Sequence, residues 1–86
     1  MTKREREELA RLIEADLLKL FDSPILNLDQ LRRALNYRSV AAVKQAIKRK
    51  TFPVHTFVMP NRHNRFALAK DVADYLATQA FNKGEQ

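Results

Sequence analysis

The chain has 86 residues, 45% of them hydrophobic, with one glycine and no cysteine, which suits a single domain with one modest core. Disulfides and thiolate metal sites are excluded, and no apolar run approaches the roughly 20 residues of a membrane span. The charged N-terminus is unlike a secretory leader, so a cytoplasmic protein is expected.

The net charge of +6 is unevenly placed. Residues 1–22 carry five Lys/Arg against six Asp/Glu, and residues 67–86 carry two against three. Residues 23–66 hold nine basic residues against Asp29 alone, with no acid from Arg32 to Arg65. Charge serving solubility would be spread more evenly; a localised positive field is the footprint of a polyanionic partner.

Thr2 and Glu5 have capping-box spacing, which predicts a helix over 3–21. Leu9, Leu12, Ile13, Leu17, Leu20 and Phe21 recur there at helical spacing, with Asp16 inside the stripe and Leu18 outside it. For a helix packed on one surface that is odd, and it implies either a basic partner for Asp16 or a second packing partner. Residues 1–22 therefore read as an amphipathic segment for homodimerisation or partner contact through Leu9, Leu12, Ile13, Leu17 and Leu18. Ser23-Pro24 ends the helix, because proline disfavours helical geometry in the residue before it.

Asn27 and Gln30 form a second capping box, for a helix over 28–35 with Leu28, Leu31 and Leu35 on its apolar face. Asn36-Tyr37-Arg38-Ser39 reads as a turn, Asn36 taking the left-handed conformation. Ser39 caps a third helix over 40–50, with Val40, Val43 and Ile47 facing inward. Phe52-Pro53 stops it. Residues 54–59 read as a strand, 60–64 as a polar turn and 65–68 as the returning strand. A last helix over 69–80 buries Val72, Tyr75, Leu76 and Phe81, and residues 82–86 form a frayed tail. The expected core includes Leu31, Leu35, Val43, Ile47, Phe66, Val72 and Leu76. The fold class is mostly α with a β-hairpin: a winged helix-turn-helix domain over 23–81, preceded by the N-terminal helix.

A major groove about 12 Å wide admits one helix if its leading face is slim. Ala41 and Ala42 meet that need and can touch thymine methyls, while Lys44 and Gln45 have the reach and polarity for base edges. Arg38, Ser39, Lys48, Arg49 and Lys50 suit backbone phosphates, the first two at a helix N-terminus. Arg62, His63, Asn64 and Arg65 form a basic wing that can lie along the backbone or in a minor groove. The plainer alternatives are a solvated basic helix face and an ordinary polar turn.

The stretches LNLDQLRRALNYRS, VAAVKQAIKRKTFP and VHTFVMPNRHNRFALAKDVADYL resemble the excisionase and MerR-type winged-helix domains. The resemblance spans Leu26 to Leu76 and lies in element order and hydrophobic positions. Asn36 stands where that family commonly has glycine, the turn is one residue longer than its shortest version, and the N-terminal helix lies outside its pattern. The resemblance implies a double-stranded DNA partner and a small phage-type or mobile-element transcription regulator. Its alternative is an excisionase that bends DNA for an integrase. With no effector domain following, a small-molecule effector is not expected; an integrase or RNA polymerase is a candidate protein partner.

Catalysis is not expected. His55 and His63 lack the cysteines and carboxylates that would make a metal or acid–base site, and no glycine-rich phosphate loop is possible, so no cofactor is foreseen. A winged-helix protein-interaction module is the rival of another class, and it has no need of an acid-free run from Arg32 to Arg65.

Overall fold

In a computed structural model, which describes residues 2–83, the helix starts are set by side-chain caps. The Thr2 hydroxyl accepts from the Glu5 N–H at 3.2 Å while the Glu5 carboxylate accepts from the Thr2 N–H at 2.9 Å, and α1 (Lys3–Phe21) follows. The Thr2 backbone N–H first, and then the Thr2 side chain, hold the Glu5 carboxyl below its ordinary pKa. Asn27 and Gln30 form the same reciprocal pair, both bonds at 2.9 Å, ahead of α2 (Leu28–Ala34). Ser39 Oγ accepts from the Ala42 N–H at 3.0 Å and opens α3 (Val40–Lys48).

The ends of α2 and α3 share one device. Asn36 and Lys50 adopt left-handed φ values of 60° and 61°. The next residue's N–H then reaches back, Tyr37 to the Arg32 carbonyl at 2.8 Å and Thr51 to the Ala46 carbonyl at 2.9 Å. The third helix therefore stops two residues before the expected position 50, and Arg49 and Lys50 belong to its closing turn. Leu35 likewise caps α2 rather than extending it.

Three short antiparallel strands, β1 (Ile25–Leu26), β2 (Phe57–Val58) and β3 (Arg65–Leu68), form a sheet in the order β1-β3-β2. β1 was not foreseen. Ser23 steadies its start through both polar groups of Ile25, and the Ala69 N–H donates to the Pro24 carbonyl at 2.8 Å. The strand expected over 54–59 shrinks to two residues, because Val54 turns into the core and pairing begins only at Phe57. Between β2 and β3 the Arg62 N–H donates to the Met59 carbonyl at 3.1 Å. Pro60 and Asn61 (φ 62°) stand at the centre of that turn, as a type II geometry asks.

α4 (Ala69–Lys83) runs three residues past the expected end and takes in the start of the supposed tail; residues 84–86 lie outside the described ones. The core joins all parts of the chain: Leu26, Leu31, Val43, Ala67 and Val72 are fully buried, with Leu35, Ile47 and Leu76 partly buried against them. Phe66 is not in that cluster. Alternation along β3 sends Ala67 inward, so Phe66 meets Phe57 on the other side, ring centroids 6.5 Å apart.

α1 packs along α4, which corrects the expected stripe. The inward face is Ala10, Leu17 and Phe21, flanked by half-buried Ile13 and Leu18, whereas Leu12 and Leu20 are 58% and 63% exposed. Asp16 lies on the exposed side, so it needs no buried partner. Of the five residues proposed for partner contact, Leu17, Ile13 and Leu18 are used inside the chain and Leu9 is half-buried. Among the described residues no helix is long and apolar enough to cross a membrane.

Candidate nucleic-acid interface

The five residues from Leu35 to Ser39 connect α2 to α3, and α3 buries Val43 fully and Ile47 in part. With that face inward, Ala41, Lys44, Gln45 and Lys48 are exposed along the opposite one, and Ala42 is half-buried. Arg38, Arg49 and Lys50 are exposed at its two ends. The Ser39 hydroxyl, expected at a phosphate, is engaged in capping.

Two ion pairs occur among the described residues: Arg11 with Glu8 at 2.8 Å and Arg32 with Asp29 at 3.2 Å. Arg33 is engaged differently, its guanidinium 5.3 Å from the centre of the Phe21 ring. Arg38, Lys44, Lys48, Arg49, Lys50 and Arg62 have no acidic partner among the described residues. Their charges are open to an external anion.

The hairpin comes close to α3. Lys44 and Lys48 line an open cleft of about 230 Å³ together with His63, Asn64 and Arg65, over a floor of Leu28 and Ile47. No carboxylate lines it. Arg62 and His63 are exposed at the tip. Arg65 differs from Arg62, His63 and Asn64: it is half-buried, and its Nε and Nη2 donate to the Thr56 hydroxyl and carbonyl, both at 2.7 Å. Comparisons with protein-family models, curated proteins and solved structures find no match for this chain.

The arrangement offers ammonium and guanidinium donors on two elements, an amide at Gln45 and small side chains at Ala41 and Ala42. Lysine and arginine donors bind phosphate oxygens, and a glutamine amide can pair with an adenine edge. The acids sit elsewhere. Asp71 and Asp74 line a separate cleft with His55, Tyr75 and Thr78. Tyr37, beneath the α2–α3 turn, packs on Phe52 with ring centroids 5.6 Å apart. Burial first, and then the nearby Tyr75, raises its phenol pKa, so it stays neutral.

Thr56 escaped the sequence reading. The available signal was a polar residue inside an apolar run, two places before the residue that pairs with Arg65. The cleft was equally hidden, since it depends on how far the hairpin leans toward α3.

Proposed function

We propose that the chain is a sequence-specific double-stranded DNA-binding protein, a small transcription regulator built as a winged helix-turn-helix. In this reading α2, the following turn and α3 form the helix-turn-helix, α3 enters the major groove, and the β2–β3 hairpin is the wing. The observation that carries it is the acid-free cleft, where Lys44 and Lys48 of α3 meet His63, Asn64 and Arg65 of the hairpin. One continuous basic surface built from two elements matches a duplex backbone, which presents one negative charge per about 1.7 Å of axis. The slim start of α3 at Ala41 and Ala42 supports groove entry, with Lys44 and Gln45 reading bases and Arg38, Lys48, Arg49 and Arg62 holding phosphates.

A salt titration of binding to random duplex DNA tests the reading. The expected affinity falls steeply, by about 0.9 log units per phosphate contact per decade of salt. No binding at low salt would refute it. On a selected target, Gln45→Ala is expected to relax sequence preference, and Lys48→Ala to weaken all duplexes alike. Equal losses on selected and random DNA for both variants would contradict that division of roles.

A further inference from the structure

Arg65 stands beside two clefts at once, one shared with Lys44, Lys48 and His63 and the other with Lys50, His55 and Thr56. A guanidinium carries five N–H donors in a rigid plane. Two of them are committed to Thr56, one to its hydroxyl and one to its carbonyl, each at 2.7 Å. Two bonds to one residue fix the plane of the fork and leave the remaining donors free for another acceptor.

Tying a hairpin together does not require a cation. Partial burial of a guanidinium costs solvation, which a carboxylate would normally offset. No acid pairs with Arg65 among the described residues, and the flanking side chains Lys44, Lys48 and Lys50 add like charge. That cost is recovered when an anion enters the corner. The walls belong to α3 and to the hairpin, so an anionic strand passing between the two elements would run its backbone through this point.

We propose that the corner between α3 and the hairpin seats one backbone phosphate of a duplex, with Arg65 as its fixed fork and Thr56 as the residue that positions that fork. Lys48 closes the seat from one side and His63 from the other, while Lys44 reaches past it toward the bases. The proposal rests on the DNA-binding reading above. It adds one anchored phosphate and a positioning residue that carries no charge and touches no DNA.

The test is random-duplex affinity as a function of salt for the intact chain and for Arg65→Ala, Arg65→Lys, Thr56→Val and Thr56→Ser, with thermal midpoints measured alongside. Arg65→Ala is expected to bind about ten-fold more weakly, with a salt slope about 0.9 shallower. Arg65→Lys, which keeps the charge and loses the fork, falls between Arg65→Ala and the parent. Thr56→Val removes no charge, yet loses several-fold in affinity and part of the same slope, and Thr56→Ser restores both. The double variant Thr56→Val/Arg65→Ala binds no more weakly than Arg65→Ala, because both changes act on one contact.

Parent-like affinity and slope for Thr56→Val, in a chain that does bind duplex, would overturn the positioning role and leave the DNA reading standing. If the parent chain binds no duplex, titration with inorganic phosphate, read at the Arg65 Nε–H resonance, separates the two ideas. A shift would keep an anion seat and remove the duplex, and no shift would remove both.

Discussion

In the α1–α4 layer, acids and bases are interleaved: Arg11 pairs with Glu8, and the cleft between the helices mixes Glu7, Glu14 and Asp74 with Arg11 and Lys70. In the half built from α2, α3 and the hairpin, Asp29 is the lone acid, already paired with Arg32; Arg33 lies over the Phe21 ring, and the other cations face water or Arg65's shared corner. Both halves fold by the same means, side-chain caps at helix starts and aliphatic residues in one core. Leu28, Leu31, Val43 and Val54 hold the second half, and none of them needs a nearby cation. Concentrated like charge opposes compaction. The contrast therefore shows a charge distribution that folding does not call for.

The largest test asks whether the two halves share a core. Leu17→Ala in α1 and Leu31→Ala in α2 each remove a buried side chain, at an expected cost of about 2–5 kcal/mol in denaturant unfolding. Leu12→Ala, on the exposed side of α1, is expected within about 0.5 kcal/mol of the parent. A single transition in all three would mean one cooperative unit. If Leu17→Ala were as mild as Leu12→Ala, α1 would be an appendage and the comparison would fail.

A smaller effect bears on the basic half directly. Lys50 holds a left-handed φ of 61° at a position where a β-carbon is unfavourable, whereas Asn36 fills the equivalent place after α2 with a residue that tolerates it. Lys50→Gly is expected to raise stability by about 0.5–1 kcal/mol. The same change should weaken duplex binding and flatten its salt dependence. Asn36→Gly, which removes no charge, leaves the salt slope unchanged. A stabilised Lys50→Gly chain with undiminished duplex affinity would show that the lysine serves neither folding nor binding.

The helix starts were legible because their signals are local: Thr2 with Glu5, Asn27 with Gln30, and Ser39 each act within one turn. Asn36 was legible for the same reason. β1 was not, since two residues become a strand only through β3, some forty positions later. The buried face of α1 was legible in part: Ile13, Leu17 and Phe21 lie in the expected stripe, but Leu12 and Leu20 continue it onto the exposed side, and Ala10 is too small to stand out. Contact with α4 decides which side is buried. Small residues also hid the core of β3, where Ala67 rather than Phe66 points inward. As for the site, the count of charges located the basic region, but the cleft and the Thr56–Arg65 bracket arise from a cross-strand register that pattern reading left unassigned.

The finest expected difference lies in the two capping boxes, which use the same geometry with different chemistry. At α1 the returning side chain is Glu5, and at α2 it is Gln30. The Glu5 carboxyl is held below its ordinary value of 4.5 by its bonds to the Thr2 backbone and hydroxyl. A depressed carboxyl pKa means that its contribution is fully present above 4.5 and is lost as pH falls through the lower, folded value. Acidification should therefore loosen the Thr2–Glu5 box of α1 while leaving the Asn27–Gln30 box of α2 in place, because Gln30 does not titrate in that range. Amide exchange of residues 5–7 and 30–32 between neutral and acid pH reads the difference. Glu5→Gln should make α1 as insensitive as α2. If the variant's first turn still loosens in acid, the sensitivity comes from elsewhere in α1. If it does not, the sensitivity belongs to the Glu5 carboxylate, the one titrating member of the two capping boxes.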